Sequence, residues 1–240
     1  MPNHVVNKVI LIGEKSELEA IVNAVRGSEP EQYFDFNKIN PMPEILHTVT
    51  SPVKILTEKG IAKEKLEQEK AIKQNPQRAE FLSHTHSITK QMQKEYLKKY
   101  GADNWYDWAC NNWGTKWNCY DQIPPEFGKE PDGRDNVTFI FSTAWSCPHP
   151  LIENLSMKYP NVIVRVRWSD EDVSYNIGVV RYLNGKILDQ FIPAGGSKEA
   201  YELYFEMHPE SREYYRLEGN EYVYDEDAEE SAYQESKDKE

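Results

Sequence analysis

The residues of this chain best suited to chemistry are tryptophans with polar neighbours. Four of the six tryptophans lie between positions 105 and 117: Trp105, Trp108, Trp113 and Trp117. An indole can bury on the order of 200 Å² or stack on a planar ring. Trp113, Trp117 and the distant Trp145 could line a pocket for a base-like ring, with Lys116 contacting a phosphate and Asn118 recognising a ring edge. The alternative is a core role, in which these indoles seal the sheet and their N–H groups bond to carbonyls.

The position of Lys116 bears on the choice between these roles. The segment from Thr115 to Tyr120 is predicted as a short strand, on which Lys116 would point away from Thr115 and Trp117. Stacking and phosphate contact would then fall on different faces of the strand. In that arrangement Lys116 would be a solvated or salt-bridged residue.

A second group of reactive side chains follows a predicted strand. The segment Ser142–Cys147 leads into a predicted helix, and the free N–H groups at such a junction can bind anions. Ser146 or Cys147 could be activated there as a nucleophile, although Ser146 is more simply interpreted as the helix cap. Asp170 and Glu171 could hold a divalent ion or act in acid–base chemistry, but an acidic turn at a strand end is usually only solvated.

The first half of the chain supplies a strand, a helix and a long helical segment. A β-branched apolar run from Asn7 to Gly13 predicts a buried strand. Ser16, with a glutamate three residues later, predicts the cap of a helix that stops at Gly27. Periodic apolar residues within about 36–112 predict a largely helical insertion, whose last helix would be capped by Asp103.

The second half supplies most of the predicted sheet. After the short strand come a Pro/Gly loop, a strand, a helix, another strand, a hairpin and a last helix: Ile123–Asn136, Val137–Ser142, Pro148–Pro160, Val162–Trp168, a turn at Asn184–Gly185, and Ser197–His208. Without the insertion, the first six elements have the order β-α-β-β-α-β. That order is the split βαβ of ferredoxin-like folds. The prediction is an α+β domain over residues 1–210: a ferredoxin-like antiparallel sheet, a helical insertion after the first helix, and an added C-terminal hairpin and helix.

Charge and cysteine content limit the functional classes. The net charge is −12, and residues 218–240 hold ten acidic residues and two lysines. Residues 211–240 are therefore predicted to be a disordered acidic tail, or a segment that docks on a basic partner or mimics nucleic acid. Arg165, Arg167 and Arg181 could gather on one sheet face, but the chain has no aromatic–glycine RNA-binding pattern and its charge opposes binding to nucleic acid.

Three cysteines without CxxC spacing favour a reducing cytoplasm and indicate no metal or cofactor. No apolar run is long enough to span a membrane.

Several motifs together resemble a known family. They are Met1-Pro2-Asn3 with Asn7 and Gly13; Phe36-Asn37 with Pro41-Met42-Pro43; Tyr106 through Trp113-Gly114-Thr115-Lys116-Trp117-Asn118; Phe141-Ser142-Thr143-Ala144-Trp145-Ser146 with Pro148 and Pro150; and the strand that begins at Gly178. Over about residues 1–193 the chain resembles the YubB-like family of phage and conjugative-plasmid proteins with a ferredoxin-like domain. The resemblance implies this fold and a mobile-element setting, and it implies no established reaction.

These observations lead to two functional hypotheses. The first is a cytoplasmic accessory protein that binds a host protein or a small nucleotide-like ligand, in host takeover or counter-defence, through Trp113, Lys116, Trp117, Asn118, Trp145 and Ser146. The second is an enzyme that acts on a nucleotide or nucleic acid, with Lys116, Ser146 and Asp170 or Glu171 as candidates. The sequence leaves the oligomeric state open.

Overall fold

A six-stranded antiparallel sheet organises the molecule. The computed structural model describes residues 2–83 and 85–228. The strands of the sheet are β1 His4–Ile12, β2 Tyr120–Lys129, β3 Asp135–Ala144, β4 Ile163–Asp170, β5 Gly178–Leu183 and β6 Lys186–Phe191. Their spatial order is β2-β3-β1-β4-β5-β6. The first four strands have the ferredoxin-like arrangement, and β5 and β6 extend it beyond β4, so the predicted fold class is confirmed.

Alternation along the strands places different layers on the two faces of the sheet. In β4, Val164, Val166 and Trp168 are buried on the face covered by α1 (Lys15–Val25) and α8 (His149–Lys158). Arg165 and Arg167 point to the opposite face, where α9 (Lys198–Met207) lies. The apolar face thus belongs to the main core.

The insertion joins α1 to β2. Its helices are α2 Phe36–Ile39, α3 Glu44–His47, α4 Glu58–Gln74, α5 Ala79–Ser83, α6 Lys90–Tyr100 and α7 Trp105–Asn112. A 3₁₀ turn at Pro76–Arg78 separates α4 from α5, as the Asn75-Pro76 break predicts. The longest helix, α4, has no fully buried residue, which agrees with its low apolar content. Phe34 and Phe36 anchor the entry to the insertion by ring contacts with Phe141 of β3.

The C-terminal segment differs from the predicted disordered tail. A 3₁₀ helix at Pro209–Tyr214 leads into a hairpin of β7 (Tyr215–Glu218) and β8 (Glu221–Tyr224). Tyr222 is buried against Phe205 of α9 in a second, smaller apolar cluster. The aromatic residues between the acidic residues provide apolar area that can be buried, which a count of charges does not show. The remainder of the predicted tail, residues 229–240, lies outside the described residues.

Several local predictions were wrong. The segment from Trp113 to Cys119 forms a loop, and β2 begins only at Tyr120 and runs through the first half of the predicted Pro/Gly loop. Prolines are tolerated in β2 because it is an edge strand with irregular register.

The predicted caps also differ from the observed ones. Helix α1 begins at Lys15 after Glu14, so Ser16 is not its cap. Helix α7 is capped by Asn104, whose side chain accepts from the Asp107 N–H, and not by Asp103. The helix after β3 begins at His149 after Pro148, and Ser146 does not cap it.

Candidate functional site

The loop Trp113–Cys119 is tied to the end of β3, and this contact builds the site. The Ser146 hydroxyl donates to the Gly114 carbonyl at 2.5 Å, and the Thr115 hydroxyl donates to the Ala144 carbonyl at 2.7 Å. Gly114 adopts φ +81°, and a Cβ there would lie 2.5 Å from Cδ of Pro150. Glycine is required at this position because the backbone is left-handed and closely packed.

Trp113 is a core residue. It is 3% exposed, and its indole N–H donates to the Asn40 carbonyl at 2.8 Å. Its ring makes edge contacts with Phe36 and Trp108. This is the sealing role that the sequence left as the alternative to a pocket.

Trp117 and Trp145 are surface residues that converge on Lys116. Trp117 is 36% and Trp145 43% exposed. The Lys116 ammonium lies 4.4 Å from the Trp117 ring centroid and 5.0 Å from that of Trp145. Because the segment is a loop and not a strand, Lys116 and Trp117 share a face, contrary to the sequence prediction. Within the described chain, Lys116 forms no ion pair with a carboxylate.

The backbone at Trp145 adopts a conformation that is rare for a bulky residue, with φ +70°. Its N–H donates to the Asn3 carbonyl at 2.9 Å, and its carbonyl accepts from the Asn176 amide at 3.0 Å. These bonds hold the indole outward at the junction of β3 and α8. Strain of this kind costs about 1–3 kcal/mol and is concentrated at functional sites.

Asp170 organises this junction. Its carboxylate is buried and accepts from the side chains of Asn3 (3.1 Å) and Asn176 (2.7 Å) and from the Asp172 N–H (3.1 Å). The carboxylate therefore positions the support of Trp145, which leaves it poorly suited to acid–base chemistry.

Lys116 and Trp117 line a cavity of about 630 Å³ between the loop and the insertion, here called the first cavity. Its remaining walls are mostly supplied by the insertion: Asn37, Met42, His47, Gln77, Phe81, Thr85, Trp105, Trp113 and Asn118. The Asn118 carbonyl oxygen accepts from the Phe36 N–H at 3.0 Å, and its amide donates to Asp35 at 2.7 Å. Asn118 is thus held by the fold, which weakens its predicted role in recognising a ring edge.

The candidate nucleophiles lie in unreactive surroundings. The Ser146 hydroxyl is engaged with Gly114, and Cys147 is buried, which raises the pKa of its thiol well above the ordinary value. Burial also lowers the pKa of His149, whose Nδ1 lies 3.1 Å from the Tyr182 hydroxyl and 3.9 Å from the Cys147 sulfur. A buried neutral thiol is a poor nucleophile.

The arginines on the opposite sheet face are paired with carboxylates. Their partners are Glu130 for Arg165, Glu206 for Arg167 and Asp189 for Arg181. Each of these positive charges is compensated locally, so this face offers little to a phosphate backbone.

Sequence reasoning missed the contribution of the insertion to the first cavity. His47, Phe81 and Trp105 lie 11 to 69 positions from Lys116 and carry no motif of their own. The only signal was Trp105, as a member of the tryptophan cluster. Among the described residues, no helix is long and apolar enough to cross a membrane.

Comparison with known proteins gives a family and a structural neighbour. Residues 112–238 match the model of a family described as a ferredoxin-like domain in Api92-like protein. The crystal structure of the protein Api92 from Yersinia pseudotuberculosis is similar at 11% sequence identity and a TM-score of 0.42, covering 82% of this chain and 99% of that one. No curated protein matches.

Proposed function

This chain belongs to the family of Api92-like proteins with a ferredoxin-like domain, and we propose that it is a binding protein whose first cavity takes a small, nucleotide-like anion. The observation that carries the proposal is the position of Lys116 at the edge of this cavity. The Lys116 residue is partly buried, its ammonium lies close to two exposed indoles, and it has no carboxylate partner in the described chain. Removing a cation from water without a counter-charge is unfavourable, so an anionic ligand is the natural complement.

The dimensions and lining of the first cavity support a small ligand. Its volume of about 630 Å³ falls in the range typical of such sites, about 300–1,000 Å³. Trp105, Trp117 and Phe81 supply aromatic surface for a planar ring. His47 and Gln77 add polar groups near the apolar walls. Ring stacking with one charge contact suits a nucleoside phosphate better than a neutral lipid.

The cellular setting in this proposal comes from the resemblance to YubB-like proteins. On that basis we propose an accessory factor of a phage or plasmid that acts in the host cytoplasm, where binding would serve host takeover or counter-defence. The free thiols of Cys110, Cys119 and Cys147 fit a reducing compartment. A host protein is the other class of partner that the sequence suggests.

The test is calorimetric titration of the full chain with ATP, AMP and phosphate-free adenosine. We expect the phosphorylated compounds to bind and adenosine to bind more weakly. Lys116→Gln should weaken phosphate-dependent binding about ten- to a hundredfold, the value of one charged hydrogen bond. Lys186→Gln is the matched control, because Lys186 is exposed on β6, far along the chain from the cavity.

Stability measurements separate a binding defect from a folding defect. Trp113→Ala should cost about 3–5 kcal/mol, as for a buried aromatic residue. Trp117→Ala should cost clearly less because its ring is partly exposed, while it removes a stacking surface. Equal affinities for ATP in the wild type and Lys116→Gln would refute the proposal.

A further inference from the structure

A second cavity lies beside Trp117 and has a different lining. Its volume is about 480 Å³, and it is bounded by Pro2, His4, Trp117, Asn118 and Tyr120. Lys116 lines the first cavity but not this one. Trp117 is therefore a wall shared by two separate depressions, and among the described residues Lys116 supplies a cation to the first and not to the second.

Three rings form walls of the second cavity, and Tyr120 contacts the other two. The Trp117 and Tyr120 centroids are 6.5 Å apart at 61°, and the His4 and Tyr120 centroids are 5.6 Å apart at 79°. His4 Nδ1 lies 2.7 Å from the Tyr120 hydroxyl, which fixes both rings. This arrangement gives an aromatic groove that exists before any partner arrives.

The groove offers few polar groups. The Asn118 amide is held by Asp35 and Phe36, and the Tyr120 hydroxyl is held by His4. In the described chain the Trp117 indole N–H has no acceptor, so it is available to donate to a partner. A nucleotide or sugar would leave most of its polar atoms unpaired here.

Negative charge lies next to the groove. Asp121 and Glu171 form no ion pair within the described residues. The Glu171 N–H donates to the His4 carbonyl at 3.0 Å, and Asp121 directly follows Tyr120, so both acidic residues lie beside the groove. Burial raises the pKa of Tyr120, and the charges of Asp121 and Glu171 raise it further. Asp121 also adopts φ +48°, a left-handed backbone at the start of β2. The site thus combines apolar rings with uncompensated negative charge.

We propose that the second cavity binds a proline-rich segment of a partner protein that carries an arginine or lysine beside its prolines. Proline-rich chains adopt the polyproline II conformation, and aromatic-lined grooves recognise them with little loss of entropy. The carbonyls of such a chain make no internal hydrogen bonds, so one can accept from the Trp117 N–H. The flanking cation complements Asp121 and Glu171. The site lies beside the nucleotide-like site and does not depend on it.

The experiment is a titration of the full chain, followed by tryptophan fluorescence, with a synthetic peptide of two arginines followed by six prolines. Matched peptides replace the prolines with glycines or the arginines with glutamates. We expect saturable binding of the first peptide and at least a tenfold loss for each of the other two.

Variants of the protein test the same assignments. Asp121→Asn and Glu171→Gln should each weaken the arginine–proline peptide about two- to fivefold at low salt, as expected for exposed charge pairs. Tyr120→Ala should abolish binding, and Tyr120→Phe, which keeps the ring, should retain most of it. Lys116→Gln should not weaken peptide binding, because it removes a positive charge and no wall of the second cavity, so this proposal and the nucleotide-like site can fail separately.

Two outcomes would overturn the assignment. The first is that the arginine–glycine peptide binds as tightly as the arginine–proline peptide, which would mean that the groove recognises the cation alone. The second is no binding of any peptide to a wild-type protein that melts cooperatively. A melting curve for each variant distinguishes lost binding from lost folding.

Discussion

At the scale of single residues, the site depends on a few positions with unusual backbone conformations. Trp145, Ser174 and Asn176 all have positive φ values without being glycine. They lie at one end of the sheet, joined through the bond from the Asn176 amide to the Trp145 carbonyl. The exposed indole of Trp145 stands on a strained backbone, which lowers the stability of the fold. We therefore expect this indole to serve a function.

Gly114 allows a prediction at this scale. Gly114→Ala should lower the free energy of unfolding by about 2–4 kcal/mol, the sum of a left-handed backbone cost and a clash with Pro150. Gly101→Ala is the control, because Gly101 has φ +72° and no atom near its added Cβ; it should cost about 1–2 kcal/mol. Urea unfolding measures both, and equal costs would show that the contact with Pro150 does not matter.

At the scale of elements, the insertion and the C-terminal hairpin complete a small sheet domain. The insertion supplies most of the walls of the first cavity, while the loop after α7 supplies its cation. On the opposite face, α9 would expose Tyr201 and Phe205 if β7 and β8 were absent. The hairpin is therefore a structural element, although its sequence is acidic.

Tyr222 tests the role of the hairpin. Its ring is buried against Tyr201 and Phe205, and the Arg212 guanidinium lies 5.8 Å from its centroid. Tyr222→Ala should cost about 3–4 kcal/mol of stability, within the range for buried aromatic residues. Val223→Thr, next to it but exposed, should cost less than about 0.5 kcal/mol. Equal melting temperatures for the two variants would mean that the hairpin does not stabilise α9.

At the scale of the whole molecule, two partly buried histidines make stability depend on pH. Burial lowers the pKa of His149 and of His208, and Glu210 only partly opposes this at His208. The unfolded chain then binds protons at a higher pH than the folded chain does. Stability is therefore full above about pH 7 and falls as the pH drops through about 6.5 towards the folded pKa values.

The expected loss is up to about 1.4 kcal/mol per pH unit for each histidine. Unfolding free energies at about pH 7.5 and 5.5 should show a smaller decrease for the double variant His149→Gln and His208→Gln than for the wild type. Glu64 and Glu130, whose pKa values are lowered by hydrogen bonds that outweigh burial, act only below this window. A wild-type stability that is flat or rises on acidification would contradict the argument.

Local sequence determined the layout of the sheet. The strand Val162–Trp168 alternates apolar and charged residues, and Asn184–Gly185 form a tight turn with φ values of +50° and +71°. These features depend on neighbours in the chain, so periodicity and turn chemistry predict them. The order β-α-β-β-α-β then limits the topology to few possibilities, and the ferredoxin-like arrangement follows.

Only the tertiary structure decided which tryptophans are core and which are surface. Trp113 and Trp117 are four residues apart, yet one is buried against Phe36 and the other flanks Lys116. That difference arises from hydrogen bonds of this loop with Asn40, Ala144 and Ser146, each of which lies 29 or more positions from the residue that it bonds to. The acidic composition of the C-terminal segment likewise did not indicate that β7 and β8 form a hairpin. Burial is a property of the packed molecule, and residue type alone does not specify which partner will supply it.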